Sequence, residues 1–431
     1  MDSIWTKNVN LPHFPVLKGD KKTDVLIIGG GMAGLLCAHF LQQQGVDYVL
    51  VEGRTICSGV TKNTTAKITS QHGLIYQDIV KYLGQEAAEK YLRANEEAIE
   101  AYAVMAEQMD CDFQRETNYV YSTNNRKKLE EEAWVLENLG FPVQLKETAN
   151  LPIKVTGAVS FPNQAQFHPL KFVNGICKNL HIYEHTYVKE LKPKTAVTDH
   201  GSIAFDQVIF ATHFPIMNKH GMYFLKMYQH RSYVIAYENA QKLEGMYIDE
   251  SGKGFSFRNY GELLLLGGGS HRTGKPGGGW EKIRNFAGEV YPFAKEKALW
   301  ATQDCMSLDQ IPYIGTYAKG MPNAYVATGF NKWGMTSSMA AAKILCDLVQ
   351  GRKNPYEDLF SPQRPMRKKQ LLINGLEATR NLLSLRTKRC PHLGCALQWN
   401  APEHSWDCPC HGSRFDESGG LINGPAMGDL K

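Results

Sequence analysis

The sequence predicts an α/β chain: a doubly wound sheet, an interleaved strand-rich α+β region and a small metal-binding tail. Three observations carry this. Residues 24–52 read as strand, turn, helix, strand, with glycines at the turn. Strand patterns dominate from about residue 180 to 270. Four of the ten cysteines (Cys390, Cys395, Cys408, Cys410) crowd into the last 42 residues. At 431 residues the chain has room for about three domains. Its 43% hydrophobic and 21% charged residues exclude disorder or coiled coil as the main theme. A net charge of +5 is too mild to imply nucleic acid.

Each element has its local reason. "DVLIIG" is a buried strand run, "GGMAGLLCAHFLQQQG" a helix ended by Gly45, and "YVLVEG" a second strand run. The apolar stretch 24–41 resembles a signal or membrane segment in length. It carries four glycines in a phosphate-binding pattern and has no cleavage site after it, so both readings are rejected. The expected location is the cytoplasm, with no integral membrane span. Cys37, Cys57, Cys111, Cys177, Cys305 and Cys346 are scattered singly, as buried thiols are in a reducing compartment. Residues 84–110 are polar and helical, with Leu92, Ile99, Tyr102 and Met105 as an apolar stripe; 126–139 form another helix. "HIYEHTYV", "QVIFAT", "SYVIAY" and "ELLLLGG" are strand runs, and "NAYVATGF" before "MTSSMAAAKILCDLV" is a late strand, turn and helix. Between Ser361 and Arg389 stand Arg364, Arg367, Lys368, Lys369, Arg380, Arg386, Lys388 and Arg389 against the single acid Glu377. That run reads as a solvated linker helix, or as a docking surface for an acidic electron-transfer partner or anionic lipid.

Gly29, Gly31 and Gly34 form G-x-G-x-x-G between strand and helix. The first permits the tight turn, the second lets backbone approach a pyrophosphate, and the third lets helix and strand pack closely. The helix N-terminus then offers free N–H groups to the phosphates. Glu52 ends the second strand, where a carboxylate accepts from ribose hydroxyls and repels a 2′-phosphate. A second glycine pattern, Gly269-x4-Gly274-Lys275, mimics a triphosphate loop. Pro276 stands where a Mg²⁺-binding Ser or Thr is needed, so it is set aside.

The stretch 52–73, "EGRTICSGVTKNTTAKITSQHG", resembles the FAD-contacting region of the D-amino-acid-oxidase-like flavoproteins, the sarcosine and glycine oxidase superfamily. "QVIFATH", "LDQIPYIGTY" and "ATGFNKWGMTSSMAAAKILCDLV" resemble that family's later flavin-binding segments. The resemblance covers about 20–355 and implies a Rossmann-like FAD sheet with an interleaved antiparallel substrate sheet. It implies FAD contacts from Gly29, Gly31, Met32, Ala33, Gly34, Glu52, Gly53, Arg54, Gly59, Val60, Thr61, Val188, Ala211, Gly329, Phe330, Gly334, Met335 and Thr336. The helix starting near Gly334 would then aim its N-terminus at the flavin pyrimidine side. The expected division is a flavoprotein unit over 1–360, with FAD parts near 20–80, 155–215 and 300–360 and substrate parts near 81–154 and 216–299. A basic linker over 361–388 and a cluster-binding unit over 389–431 follow.

Cys390-x-His392 and Cys408-x-x-His411 offer two thiolates and two imidazoles. Zn²⁺ could take such a set, but here each loop supplies one ligand of each kind. That arrangement suits a Rieske [2Fe–2S] centre, where two thiolates hold one iron and two imidazoles the other. "CPHLGC" and "CPCHGS" resemble the Rieske signature nearly residue for residue. The resemblance implies that Cys395 and Cys410 are not ligands and can pair as a disulfide, that residues 424–426 cover the cluster, and that Ser413 donates to a bridging sulfide. High-potential members carry a Tyr two residues after that Ser; this chain has Phe415, which implies a mid-range potential. Almost no β base precedes Cys390, so the tail must lean on metal and on the flavoprotein body.

Two redox groups in one chain suggest a dehydrogenase that oxidises a small donor at FAD and exports electrons singly through the cluster to a partner. An electron carrier, a reductase with reverse flow or a redox-sensing module without a committed substrate is the alternative. In the resemblance Asp304 falls where amino-acid oxidases often place a carboxylate-binding Arg, which favours an amine donor. Lys332 and Trp333 are placed near the flavin face, and Lys67 and His72 near its edge; His168 reads as a turn residue. Cys57 lies near the flavin segment, but covalent attachment of the flavin is not expected.

Overall fold

The computed structural model describes residues 2–217, 220–365, 368–384 and 388–430, without the side chains of Lys368 and Lys369. Eight strands form the first sheet. Its path runs Tyr313–Ala318, Met321–Thr328, Ser202–Phe210, Lys21–Ile28, Tyr48–Val51 and Ile182–Tyr183, and a hairpin of Val188–Lys192 with Thr195–Thr198 joins Ser202–Phe210. The four inner pairings are parallel. Both faces of the central strand are covered, so Val25, Leu26 and Ile27 are wholly buried and the strand reads as an unbroken apolar run. Met32–Gln43 and Gly334–Val349 pack against each other, with the Cys346 thiol 3.7 Å from the carbonyl of Cys37. Gly34 lets the first helix press onto the turn that precedes it: a Cβ there would stand 1.9 Å from the carbonyl oxygen of Gly29.

The second sheet has nine strands. Its path is Lys295–Ser307, Met227–Glu238, Leu263–Arg272, Ser256–Tyr260, Met246–Asp249, Gln114–Ser122, Gly157–Gln166 and Lys67–Ile68, with Gln144–Lys146 paired to Gly157–Gln166. Strands 67–68 and 157–166 fall in ranges expected for the FAD part, and 295–307 straddles the expected boundary near residue 300, yet all three pair in this second sheet. Sheet membership is decided by distant pairing partners, not by a strand's own composition. The helix Gln85–Ala106 differs in the same way: it packs on the Gly334–Val349 helix, where the Tyr102 hydroxyl donates to the carbonyl of Met335 at 3.0 Å. Its stripe is as expected, with Leu92, Ile99 and Tyr102 buried.

A third, antiparallel sheet of Gln398–Asn400, Ser405–Asp407, Arg414–Phe415 and Leu421–Asn423 closes the chain. Its core is little more than Leu397, Phe415, Ala426 and four cysteines. Such a core is too small to stand alone, and the unit sits on the second sheet through a buried charge network. The Arg231 guanidinium makes a two-pronged pair with Glu403, one bond at 2.9 Å. Tyr233 donates to the same carboxylate at 2.9 Å, and Arg414 bridges Glu403 and Asp407 at 2.9 Å each.

Before this unit runs the helix Lys368–Leu382. The basic run around it is not a uniform charged face. Arg364 is buried and bidentate with Asp309, both bonds 2.7 Å. Arg389 folds back on the helix end, donating to the carbonyls of Asn381 and Leu382 at 3.1 Å. Arg367 and Arg386 lie outside the described residues. Among the described residues no helix is long and apolar enough to cross a membrane.

Candidate redox site

One cavity of about 1190 Å³ runs from the glycine-rich turn, across the junction of the two large sheets, to the C-terminal tail. At its first end Gly29 has φ +113° and a Cβ there would lie 2.5 Å from the carbonyl of Ala211, so only glycine fits. Glu52 is already oriented: it accepts from the amides of Gly30 at 2.8 Å and Arg54 at 2.9 Å. Gly31 caps the Met32–Gln43 helix without any side-chain bond, and Trp333 leaves the Gly334–Val349 helix equally uncapped. Two helix N-termini thus open on one cavity, as a pyrophosphate and an anionic ring system require.

Of the residues expected at FAD, Gly29, Gly31, Met32, Ala33, Glu52, Gly53, Arg54, Gly59, Val60, Thr61, Val188, Ala211, Gly329, Phe330, Gly334 and Met335 line this cavity. Gly34 and Thr336 do not. Gly34 serves packing, and the Thr336 hydroxyl turns away to donate to the carbonyl of Thr69 at 3.1 Å. Arg54 reaches across to the tail, donating to the carbonyl of Ile422 at 2.5 Å. Cys57 lies beside Gly30, 3.8 Å from its carbonyl, at the nucleotide-loop end. Burial pushes its thiol well up.

The far wall comes from neighbouring strands. His230 and Asp304 are direct Cα partners across Met227–Glu238 and Lys295–Ser307. Burial pushes the Asp304 carboxyl up to about 6, against the pull of Lys332 and Arg231. The carboxylate has no hydrogen-bond partner among the described residues. Lys332 sits in a left-handed turn, φ 74°, and its ammonium is 2.5 Å from the hydroxyl of Ser270. Burial pulls its pKa down, with Asp304 opposing. A non-glycine residue held at such φ is a conformation the surroundings must enforce; Asn331 does so by bonding Gly329 and Ser307. Trp333 stacks on His72 at 4.9 Å. Lys67 lines the cavity, but its ammonium is tied to the carbonyl of Tyr247 at 2.6 Å; burial, then Arg258, pulls it down to about 7. His168 caps the helix Pro169–Ile176 by accepting from the amide of Lys171 at 3.2 Å, a turn role as expected.

The two cysteine–histidine loops meet at the other side of this wall. The Cys390 thiol is drawn down to about 7 by the neighbouring Cys408 thiol, against burial, with Ser413 and the amides of His392 and Leu393 assisting. The His392 and His411 rings meet edge to face, 4.9 Å between centroids. His411 is buried between Phe214 and Phe224, and its Nδ1 has no hydrogen-bond partner among the described residues. An orphaned imidazole nitrogen beside two adjoining thiols fits a cluster with two sulfur and two nitrogen ligands. Cys395 and Cys410 are joined in a disulfide, Cα atoms 6.7 Å apart. The Cys395, Cys408 and Cys410 sulfurs lie within 4.8 Å of one another, yet the disulfide removes two of them as ligands. Ser413 accepts from the amide of Ala426 at 3.0 Å, leaving its own O–H to donate toward Cys390.

Sequence reasoning missed what joins the two centres. Gln229 donates to the carbonyl of His411 at 2.6 Å, and Gln303 to that of Gly412 at 2.8 Å. His213, two residues past Ala211, lies against both glutamines. Arg272 donates to the carbonyl of Pro409 at 3.1 Å. Gly274, the triphosphate-loop mimic, has φ +71° and presses on the backbone of Pro409, so it seats the cluster loop. The tail itself, 421–429, walls the cavity.

Comparison with known proteins agrees. Residues 24–348 match the DAO family, described as FAD dependent oxidoreductase, and 376–431 match the Rieske [2Fe-2S] domain. The chain belongs to the DAO family of FAD-dependent oxidoreductases and carries a C-terminal Rieske domain; its cofactors are FAD and a [2Fe–2S] cluster. It is 34% identical over 493 aligned positions, all of this chain and 97% of the other, to YhfW of Bacillus subtilis (strain 168), described as a Rieske 2Fe-2S iron-sulfur protein. The tail is 54% identical over 69 residues to the cytochrome b6-f complex iron-sulfur subunit 1 of Nostoc sp. (strain PCC 7120), covering 14% of this chain and 38% of that one. In fold the chain is similar to glycine oxidase from Geobacillus kaustophilus (TM-score 0.68, 18% identity, 80% of this chain and all of that one). It is also similar to L-proline dehydrogenase from P. horikoshii (TM-score 0.66, 19% identity, 80% and 98%).

Proposed function

We propose that this oxidoreductase takes electrons from a small amine donor and passes them singly through the cluster to an external acceptor. The observation that supports this most is one strand. In Lys295–Ser307, Asp304 offers an unpartnered carboxylate to the cavity while its neighbour Gln303 holds Gly412 of the cluster loop. FAD supplies two-electron acceptance from an organic donor and the cluster one-electron carriage. The chain's residues do the rest. Asp304 receives the donor's ammonium. Ser270 holds the Lys332 ammonium to one side, so the carboxylate stays open to the cavity. Trp333 on His72 fixes the loop that presents Lys332. Gln229 and Gln303 keep the His411 loop seated on the wall of the same cavity. Several proteins of similar fold are named for oxidising amino acids, glycine and L-proline among them; an acid at the wall shifts the reading toward an amine.

The test is an anaerobic titration with amines and amino acids, following flavin bleaching and then the paramagnetic signal of the reduced cluster. Bleaching by an amine with cluster reduction after it supports the reading. A good amino-acid substrate, with Asp304→Ala without effect on turnover, overturns the amine assignment. Cluster reduction by chemical reductants alone, with no donor bleaching the flavin, returns the reading to an electron carrier.

A further inference from the structure

We propose that the helix Lys368–Leu382 docks on an anionic lipid surface, lying flat with its leucines at the acyl boundary and Arg380 among the headgroups. The helix is amphipathic the wrong way round for a soluble body. Its inward face is polar or small: Asn374 accepts from Arg272 at 3.0 Å, Ala378 enters the small cluster core, and the carbonyl of Asn381 accepts from the amide of Ala396 at 3.0 Å. Its outward face is apolar. Leu372, Leu376 and Leu383 fall on one line at helical spacing and are 67%, 71% and 77% exposed. With Ile373 and Leu382 they make five of the thirteen large apolar side chains that the described surface exposes, inside twelve residues. That concentration marks an interaction surface rather than scattered exposure.

Charge selects the occupant. The helix carries Lys368, Lys369 and Arg380, with exposed Lys388 just beyond it. Its one acid, Glu377, is spent on an ion pair with Lys275. An acidic protein would meet the cations but leave the leucine line in water. A second copy of this chain would cover the leucines but set like charges against each other. An anionic bilayer surface satisfies both, as interfacial helices with basic flanks do. The helix end also touches the cluster loop, where a Cβ on Gly394 would meet Leu382 at 3.8 Å. Docking would therefore bring Cys390-x-His392 beside the headgroups.

Co-sedimentation of the holoprotein with phosphatidylglycerol-containing vesicles and with pure phosphatidylcholine vesicles tests this. The expected result is partition onto the anionic vesicles at least tenfold above the neutral ones, lost on raising salt to about 0.5 M. The triple variant Leu372→Gln, Leu376→Gln, Leu383→Gln should weaken partition at least tenfold with flavin and cluster absorption unchanged. Arg380→Glu should reduce the preference for anionic lipid and leave both absorptions intact. Equal partition onto both vesicles, or none, overturns the proposal. So does a wild-type dimer in solution that the triple variant converts to monomer, since the leucines would then be covered by a second copy.

Discussion

In the proposed function Asp304 is the residue that selects the donor. Its folded pKa is raised to about 6, burial being the first cause, with Lys332 and Arg231 pulling the other way and His230 beside it on the next strand. The carboxylate is therefore ionised above about pH 6 and protonated below. Recognition of a cationic amine should be present above that value and fall as pH drops through it, visible as an acid limb in kcat/KM. Asp304→Asn should flatten that limb and raise KM for amines about 10–100-fold, the scale of one lost charge-assisted hydrogen bond. Phe415 acts on the other centre. It is fully buried in one core with Cys390 and Cys408 and can donate nothing to a thiolate. Phe415→Tyr adds a donor that favours the reduced, more negative cluster. The midpoint should rise by on the order of 60 mV in a redox titration, the equivalent of one charge-assisted bond for one electron. An unchanged midpoint would place the new hydroxyl away from the sulfur.

At the level of elements, the docking of the tail on strands Met227–Glu238 and Lys295–Ser307 rests on Glu403. Burial opposes its ionisation, but Arg231 and Arg414 outweigh that and hold its carboxyl below the ordinary range. A depressed carboxylate contributes stability above its unfolded pKa and loses it as pH falls through the folded one, so acid should undock the tail. Glu403→Gln leaves two buried guanidiniums poorly matched and should cost about 3–5 kcal/mol, read by denaturant unfolding and by proteolytic release of the tail. The same elements show what a sequence can reveal. The Gly29–Gly31–Gly34 turn, Glu52, the helix at Gly334 and the two cysteine–histidine pairs are legible because their chemistry fixes residue types at short, local spacings. Gln229, His230, Arg231 and Gln303 carry no such signal. Three of them are consecutive on one ordinary strand, and Arg231 meets Glu403 from 172 residues away. Arg364 and Arg389 read as surface cations because a charge run does not say which members fold back onto Asp309 or onto helix carbonyls. Gly274 looked like a failed phosphate loop because its partner, Pro409, is supplied by the tertiary fold.

Across the whole molecule the two centres share one strip of chain. Residue 426 bonds Ser413 beside the cluster ligands, the carbonyl of Gly424 accepts from Gln229 at 3.4 Å, and that of Ile422 accepts from Arg54 at the nucleotide end. The Tyr187 hydroxyl reaches Met427 at 3.3 Å, while the Tyr187 ring lies where a Cβ on Gly53 would be, 2.8 Å away. This strip holds its course mainly because Leu421–Asn423 pairs with Arg414–Phe415, whose own core is built around the four terminal cysteines. Folding of so small a core is coupled to its metal. Removing iron should therefore loosen the strip and open the cavity wall over the nucleotide. We expect chelation under reducing conditions to speed FAD release about tenfold or more, a loss of about 1.4 kcal/mol of retention, followed by the fluorescence of freed flavin. By linkage the coupling is reciprocal, so flavin-stripped protein should lose its cluster to a chelator about tenfold more readily than the holoprotein, although Gln229, Arg272 and Gln303 still hold the cysteine–histidine loop in place. An FAD release rate indifferent to iron would show that the strip does not hold the nucleotide.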